Sequence, residues 1–541
     1  MGRRYDVALV GGSFDGLVAA VYLAKAGKSV VVLEPSERVG GAVGTDEVAV
    51  DGGVARFPAA FGTVELLHPE VLRELGLERH GFERIEGGGV FLPSAAGDGA
   101  GLHLDPRQGS IAEQVAAHSP ADGDAFAEFD RFHRRLARAL APTLTDVLPD
   151  PVPSGLGGVF QLVQLAWRLR RLGADEMPEA LRYLPMPLRD ALEERFTSET
   201  VKAALAAPAL TASWLAPRSA GSAYGLLHHR PAWTAGLVTQ SAFVRGGPGK
   251  LAEAVASAVT AAGGEIRTGA AVERIAVSDR GAEGVVLAGG EEVPAARVAS
   301  ALDPKTTLLG LVDPQWLDPD SVRAVERIRG RGSVALVRYV VDRLPSLAGA
   351  PGTSGHRTPD SGAGGSPHLY GRIQLAPSLD ALERAFDAAK YGRLPDAPWI
   401  DLTFPSVLDS SLAPAGRHLV IAWVQYIPRT LRDMSWSEAR DLLADRVTAS
   451  IEEIAPGFTA SIAYRAIVTP EDLETRFGLA GGCLYQVDMT LDQLLHLRPV
   501  AGWYDHRTPI PGLHLCGPAC HPGGGVTGLP GRNAARAILR A

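Results

Sequence analysis

Cysteine is scarce in this chain, and the few cysteines present do not form the framework of a disulfide-stabilised protein. Three occur among 541 residues, at positions 483, 516 and 520, which is too few to cross-link a chain of this length. The sequence has no Cys-x-x-Cys pair, so thiol–disulfide chemistry is disfavoured. Cys516 and Cys520 are four positions apart, and we interpret them as small buried residues.

Long apolar runs and a strong charge of either sign are absent as well. No uninterrupted hydrophobic stretch is long enough to cross a bilayer, and no signal peptide precedes the first apolar run, so we expect a cytoplasmic protein. A net charge of −8 is mild and argues against a nucleic-acid-binding surface. Neither a cluster of metal-ligating residues nor a hydrolytic triad is evident. The length predicts two domains or interleaved halves.

The first 34 residues contain the most informative pattern in the chain. Residues 7–10 and 30–33 are short apolar runs, typical of strands buried on both faces of a parallel sheet. Between them a glycine turn leads into a helix with an apolar stripe. Glu34 follows the second run, 23 positions after Gly11. This order is typical of dinucleotide binding, with phosphates at the helix N-terminus and a carboxylate for the ribose.

Ser13 departs from the Gly-x-Gly-x-x-Gly pattern, because a serine replaces the middle glycine. That glycine normally allows the backbone to approach the pyrophosphate. A serine takes up space there but offers a hydroxyl donor to the same phosphate. The alternative interpretation of the whole segment is an ordinary βαβ unit with a glycine turn.

The middle of the chain divides into three regions. Residues from about 110 to 240 are predicted to be mainly helical, and residues 245–303 contain a glycine turn, a helix and several strands. Between 368 and 480, strand-like runs alternate with helices, which indicates an antiparallel sheet covered by helices. Residues 347–367 are rich in glycine, serine and proline and are predicted to form a flexible loop.

The segment 157–172 is the one place where the sequence suggests contact with a membrane. It combines apolar residues with Arg168, Arg170 and Arg171. A helix here either faces the core with its arginines in solvent or dips into a membrane surface to collect an apolar substrate. The first interpretation is favoured.

Three blocks of the chain together carry a family resemblance. They are the glycine turn at the start, Arg-Gly-Gly-Pro-Gly-Lys-Leu at 245–251, and Leu-Cys-Gly-Pro-Ala-Cys-His-Pro-Gly-Gly-Gly-Val at 515–526. Together they resemble the phytoene desaturase-like FAD-dependent oxidoreductases of the amine-oxidase and GDP-dissociation-inhibitor superfamily. The last block is similar to the desaturase ending His-Pro-Gly-x-Gly. Residues 491–499 and 504–510 look closer still to the branch called pyridine nucleotide-disulfide oxidoreductase domain-containing protein 2.

The resemblance implies an α/β fold that binds one noncovalent FAD. A Rossmann-like FAD-binding domain would be assembled from discontinuous segments, 1–105, 241–305 and 481–541. An α+β substrate domain with an antiparallel sheet and helices would comprise 106–240 and 306–480. The pyrophosphate would contact Gly11, Gly12, Ser13 and Gly16, and the adenosine ribose would contact Glu34. The remaining implied cofactor contacts are Pro35, Arg38, Gly41, Ala42, Val272, Gly517, Gly524, Gly525 and Val526.

The activity implied by the resemblance is desaturation of a carbon–carbon bond in an apolar, isoprenoid- or carotenoid-like small molecule. A helix beginning near Val526 would stabilise negative charge on the reduced flavin. His521 either faces the flavin and assists proton removal or caps its loop through hydrogen bonds. Arg56 and the pair His228 and His229 are weaker catalytic candidates. The alternatives are an amine oxidase, a saturase or isomerase, or a non-catalytic lipid- or protein-binding member of the GDP-dissociation-inhibitor type.

Overall fold

The computed structural model describes residues 4–94, 100–150, 156–230, 236–350 and 366–541. The flexible loop predicted at 347–367 lies largely outside these ranges. The strands are β1 Tyr5–Val10, β2 Val30–Leu33, β3 Thr45–Val50, β4 Gly53–Pro58, β5 Arg84–Glu86, β6 Val90–Leu92, β7 Leu102–Leu104, β8 Ala242–Val244, β9 Glu265–Arg267, β10 Val272–Ser278, β11 Gly281–Leu287, β12 Glu292–Ser300, β13 Val334–Val341, β14 Arg372–Leu375, β15 Trp399–Thr403, β16 His418–Gln425, β17 Ile462–Val468 and β18 Leu513–Leu515.

The α-helices within the described residues vary from single turns to one of 22 residues. They are α1 Phe14–Lys25, α2 Pro69–Leu75, α3 Ile111–His118, α4 Gly123–Leu144, α5 Leu156–Arg170, α6 Glu176–Tyr183, α7 Leu188–Glu193, α8 Glu199–Leu210, α9 Gly225–His228, α10 Gly249–Ala261, α11 Pro319–Glu326, α12 Leu379–Lys390, α13 Pro405–Leu408, α14 Trp436–Ile454, α15 Pro470–Phe477 and α16 Leu529–Arg540. None of these helices is both long and apolar enough to cross a bilayer.

The first sheet has seven strands, which come from the start, the centre and the end of the chain. Its order is β10-β11-β12-β1-β2-β9, and β18 also pairs with β12. β12 is long enough to pair antiparallel with β11 at one end and parallel with β1 and β18 at the other. β1 and β2 are buried on both faces, as predicted from their uninterrupted apolar runs. The α/β fold class is therefore confirmed.

The second sheet also has seven strands, in the order β17-β13-β16-β15-β14-β6-β7. All of its pairings are antiparallel except the one between β14 and β6. One face packs against α14 through apolar side chains that include Val337, Leu402 and Ala422. The sheet with its helical cover follows the prediction for residues 368–480.

Two details of the fold differ from the predictions. β6 and β7, which the sequence places in the nucleotide-binding domain, pair with the second sheet. This happens because their apolar side chains complete the edge of that sheet beside β14. The last helix begins at Leu529, with Gly528 as its N-cap, rather than near Val526. The glycines before it form a loop, because Gly523, Gly525 and Gly528 have positive φ angles that are incompatible with a helix.

The helix predicted at 157–172 exists as α5. It matches the favoured interpretation, a helix that faces the core with its arginines in solvent, only in part. Leu172, just past its end, is buried, and Leu169 packs against the core. The opposite face is apolar as well, since Phe160, Val163 and Trp167 are about 60% exposed (61%, 58% and 58%). The outer face is therefore not simply an arginine-rich polar surface.

Candidate active site

The turn between β1 and α1 has the geometry that an anionic ligand requires. Gly11 has a φ of +92°, which favours glycine. A Cβ atom at Gly16 would lie 2.5 Å from the carbonyl oxygen of Gly11 and 3.0 Å from the Cβ of Ala301. Glycine at position 16 is thus what allows α1 to approach the sheet so closely. The N–H groups at the start of α1 point toward the turn, as a phosphate ligand at a helix N-terminus would require.

Ser13 is the N-cap residue of α1, but its hydroxyl does not cap the helix. Its Oγ atom is buried and has no hydrogen-bond partner within the described part of the chain. A buried hydroxyl without a partner is costly, and a phosphate oxygen at this helix N-terminus would satisfy it.

Ser13 is therefore expected to donate a hydrogen bond to the pyrophosphate. Ser13→Ala should weaken FAD binding about tenfold, the equivalent of one lost hydrogen bond to a charged group. Ser13→Gly should leave the affinity nearly unchanged, because the backbone can then approach the phosphate directly. Titration of apoprotein with FAD measures both variants. Tighter binding by Ser13→Gly than by the wild type would show that the side chain obstructs the site.

Glu34 lies where the ribose of a dinucleotide is expected. Its Oε2 accepts a hydrogen bond from the Gly12 N–H at 2.7 Å, and its Oε1 accepts one from the Ser36 N–H at 3.0 Å. A carboxylate has about four acceptor positions, so two remain for ribose hydroxyls. Residues 38–42 fold back over the turn, since the N–H of Gly40 donates to the carbonyl of Gly12 at 2.8 Å. Arg38 and Pro35 are exposed at this edge. Val272 begins β10 two residues after Ala270, whose N–H donates to the carbonyl of Glu34 at 2.8 Å.

The C-terminal segment meets the same end of α1. A Cβ atom at Gly531 would lie 2.1 Å from the carbonyl oxygen of Asp15, so α16 and α1 are in backbone contact. Gly517 is confined between the carbonyl oxygen of Ala301 and the side chain of Gln486. A Cβ atom at Gly524 would lie 1.9 Å from the Cδ1 of Tyr485. These close approaches bring the segment 517–526 beside the phosphate-binding turn.

The residues present fit an FAD molecule. Three features suited to this cofactor lie where three chain segments meet. They are the unsatisfied hydroxyl of Ser13, the spare acceptor positions of Glu34 and the glycine-rich segment 517–525. Ser13, Gly12 and Gly16 would hold the pyrophosphate, and Glu34 would hold the ribose. Gly524, Gly525 and Val526 would line the flavin end.

A cavity of about 1260 Å³, including the part that opens to solvent, begins at Gly525 and Val526. Its opposite wall is the face of the second sheet that points away from α14. Because side chains alternate along a strand, the residues of β13 to β16 that line the cavity lie on one face of the sheet. These residues are Leu336, Arg372, Gln374, Asp401, Thr403, Ile421 and Trp423. Further apolar side chains complete the wall, among them Phe61, Leu66, Val90, Pro208, Leu237 and Val238.

The cavity also contains a small cluster of charged side chains. Arg372 donates to the Oε1 of Glu65 and, at 3.2 Å, to the Oγ1 of Thr63. The second oxygen of Glu65 is buried and has no partner within the described part of the chain. Asp401 is 6% exposed, and its Oδ1 accepts a hydrogen bond from Trp399 Nε1 at 3.0 Å. Burial raises the pKa of Asp401 to about 6, although the charge of Arg372 and the Trp399 hydrogen bond oppose the shift.

A histidine and a tyrosine line the cavity beside the glycine loop. His229 Nδ1 donates to the carbonyl of Gly225 at 3.3 Å, which leaves Nε2 to accept from the hydroxyl of Tyr485 at 2.9 Å. Burial lowers the pKa of His229 to about 4, so its imidazole is neutral at pH 7. His228 Nε2 lies 2.9 Å from the carbonyl oxygen of Gly524. The pair predicted as weaker catalytic candidates thus fixes the loop and Tyr485.

His521 and Arg56 lie away from the cavity-lining residues. His521 Nε2 donates to the carbonyl of Thr143, in the last turn of α4, at 2.6 Å. Burial lowers its pKa to about 3. His521 therefore ties its loop to α4 through this hydrogen bond and is not among the residues that line the cavity. Arg56 pairs with Glu47 at 2.9 Å and donates to the carbonyl of Ser411 at 3.0 Å on the surface.

His521→Ala is accordingly expected to keep kcat within about threefold of the wild type, because the ring contacts a backbone carbonyl and not the cavity. Loss of that buried hydrogen bond should lower the free energy of unfolding by about 1–3 kcal/mol. Steady-state kinetics and thermal unfolding of the FAD-loaded variant test these two expectations together. A hundredfold fall in kcat with unchanged stability would instead place His521 in the proton transfer.

All three cysteines are buried and unpaired. Burial raises the pKa of Cys520 to about 12 and holds the pKa of Cys516 well above the ordinary value. Both thiols are therefore protonated at neutral pH and are poor nucleophiles. Their environment agrees with the interpretation as small buried residues.

The sequence interpretation missed Asp401, Arg372, Glu65 and Tyr485. A signal existed for Asp401, because it is the one charged residue in β15. Arg372 is likewise the one charged residue in β14. The convergence of these residues depends on strand pairing that a single sequence does not reveal.

Known proteins resemble this chain over nearly its full length. The model of the flavin-containing amine oxidoreductase family matches residues 16–539. The rat pyridine nucleotide-disulfide oxidoreductase domain-containing protein 2 is 36% identical over 555 residues, covering 99% of this chain and 94% of its own. The lycopene-forming phytoene desaturase of a Paracoccus species is 26% identical over 58% of this chain and 57% of its own. A redesigned putrescine oxidase shares the fold, with a TM-score of 0.60, 16% identity and coverage of 99% and 98%.

Proposed function

This chain belongs to the family of flavin-containing amine oxidoreductases, and from that premise we propose that it dehydrogenates a carbon–carbon bond in a largely apolar small molecule. It is an FAD-dependent oxidoreductase, so the alternative of a non-catalytic binding protein is not retained. The observation that carries the proposal is the cavity between Gly525 and the second sheet, which combines apolar walls with two buried carboxylates, Asp401 and the Arg372-paired Glu65.

The apolar walls suit a substrate that has few polar groups. Each methylene buried against such walls contributes about 0.8 kcal/mol, so binding needs little hydrogen bonding. The rings of Trp423 and Phe61 lie with their centroids 6.4 Å apart and their planes tilted by 39°, and both add apolar surface to the cavity. The desaturase name of one relative agrees with this kind of substrate.

Asp401 is the group best suited to take the proton in this reaction. Two C–H bonds break on neighbouring carbons and a C=C bond forms, so a hydride equivalent and a proton must leave the substrate. FAD, when bound, supplies the acceptor for the electron pair. A general base works best when its pKa lies near the working pH, and Asp401, with a pKa of about 6, is ionised at pH 7.

Arg372, His229 and Tyr485 support the charge and the geometry of the cavity. Arg372 places a positive charge near Asp401 and keeps its ionised form accessible. The His229–Tyr485 hydrogen bond fixes the tyrosine ring against Gly524. A fixed wall holds the substrate C–H bond in one orientation, and such positioning lowers the barrier substantially.

Product analysis tests the proposal. FAD-loaded enzyme is incubated with a panel of terpenes and linear polyisoprenoids, and the products are identified by mass spectrometry. The proposal expects a product that has lost two hydrogens and gained a C=C bond. Oxidation of amines to aldehydes with no such alkene product from any panel member would contradict it.

Amine oxidation is a second candidate, because the charge balance of the cavity favours it. The cavity wall carries the carboxylates Glu65 and Asp401 against one guanidinium, that of Arg372. A cationic substrate would balance the surplus carboxylate. The unpartnered oxygen of Glu65 is a further acceptor for an ammonium group.

Glu65→Gln distinguishes the two candidates. For an amine oxidase, loss of this charge should raise KM for amines at least about tenfold, as expected for one charged hydrogen bond. For dehydrogenation of an apolar substrate, KM should change less than about threefold. Steady-state kinetics with both substrate classes measure the difference, and the FAD content of the variant confirms that its active site is intact.

A further inference from the structure

The outer face of α5 exposes a continuous apolar stripe. Phe160, Val163 and Trp167 are spaced three and four residues apart, so they lie on one side of the helix. Their exposed fractions are 61%, 58% and 58%, and Val159 beside them is 46% exposed. A stripe of large apolar side chains on one helix is unusual on a protein surface and marks an interaction site.

The charge of this helix is opposite to that of the whole protein. Arg168, Arg170 and Arg171 lie at its C-terminal end, and residues 156–174 contain no aspartate or glutamate. The complete chain carries a net charge of −8. The guanidinium of Arg171 lies 4.7 Å from the ring centroid of Trp167. Apolar residues with a tryptophan, flanked by arginines, are typical of helices that lie in a membrane interface.

The position of α5 connects this face to the cavity. α5 packs on α4, and the Arg135 side chain of α4 donates to the carbonyl of Leu172 at 3.0 Å. α4 also forms one wall of a second cleft, through Phe126, Asp130 and Arg134. Residues 237–240 line both this cleft and the main cavity. The apolar stripe thus lies on a helix that packs against α4, and α4 borders the cleft next to the main cavity.

We propose that the α5 face, defined by Val159, Phe160, Val163 and Trp167, docks the protein onto an anionic lipid membrane. The apolar side chains enter the boundary between headgroups and acyl chains, and the three arginines contact the anionic headgroups. Docking of this kind gives the protein access to molecules dissolved in the bilayer. The proposal does not depend on which bond the enzyme oxidises.

Vesicle co-sedimentation of the FAD-loaded protein tests the proposal. The bound fraction should be at least about tenfold higher with phosphatidylcholine–phosphatidylglycerol vesicles than with phosphatidylcholine alone. It should fall as salt is added, because salt screens the arginine contacts. The triple variant Phe160→Ser/Val163→Ser/Trp167→Ser should lose binding to both vesicle types, while Tyr391→Ser, at a site 67% exposed elsewhere, should bind as the wild type does.

A second measurement keeps the proposal testable if the triple variant loses its FAD or its fold. Brominated lipids should quench part of the fluorescence of the wild-type protein, and this part should be missing in Trp167→Phe. Absence of wild-type binding to both vesicle types would overturn the proposal, as would unchanged binding or unchanged quenching in these variants. A triple variant that turns a dimer into a monomer without affecting vesicle binding would assign the face to a second copy of the chain.

Discussion

Replacing Asp401 with asparagine is expected to lower kcat at least about 100-fold, because general-base catalysis typically contributes 10²- to 10⁴-fold. The asparagine keeps the size of the side chain and can still accept from Trp399 Nε1, so FAD should remain bound. In the wild type, kcat/KM should fall as the pH drops through about 6, since protonation removes the base. That acidic limb should be missing in Asp401→Asn.

A matched control for this substitution is Glu383→Gln. Glu383 is another buried carboxylate, 9% exposed, and it accepts from the backbone N–H of Arg218 at 2.9 Å. Because it is not among the cavity-lining residues, Glu383→Gln should keep kcat and the acidic limb. If Asp401→Asn retained wild-type kcat, the proton would have to leave by another route, and Asp401 would be a residue that positions the substrate.

Gly524→Ala is expected to reduce the fraction of protein that retains FAD more than about tenfold. The new Cβ would lie 1.9 Å from Cδ1 and 2.0 Å from Cγ of Tyr485. These atoms are close to the tyrosine backbone, so the ring cannot turn away without displacing the cavity wall. Overpacking of this kind costs about 1–3 kcal/mol or more. Flavin absorbance after gel filtration and the thermal unfolding temperature measure the effect.

Gly289→Ala is the matched control for this clash. No atom lies within 4 Å of a Cβ built at Gly289, and neither glycine has a positive φ angle. Both substitutions are therefore compatible with the backbone, and they differ only in the space available. Normal FAD content in Gly524→Ala would mean that the loop can move and does not define the flavin end of the site.

The parts of the fold that depend on local pattern could be predicted from the sequence. One βαβ unit fixes the spacing between the apolar run of β1, the glycine turn, the apolar run of β2 and Glu34. This spacing can be recognised in the sequence. The antiparallel second sheet also followed from its alternating strands and helices. The pairing of β6 and β7 with the second sheet could not be predicted, because three-residue strands contain too little pattern to identify their partners.

The residues that line the cavity could not be predicted from the sequence either, and the reason is a different one. Asp401 and Arg372 lie on adjacent strands, but Glu65 and Tyr485 come from distant loops. Their proximity depends on long-range packing rather than on spacing in the chain. The same is true of α5, whose arginines and apolar residues fit two orientations until its packing on α4 shows which side is exposed.

The most direct test of the proposed reaction is anaerobic reduction of the bound flavin, followed as loss of its visible absorbance. The proposed function predicts that an apolar isoprenoid bleaches the wild-type flavin, that amines do not, and that bleaching in Asp401→Asn is at least about 100-fold slower. Bleaching by amines alone, or an equal rate in Asp401→Asn, would contradict the assignment of this cavity to carbon–carbon dehydrogenation.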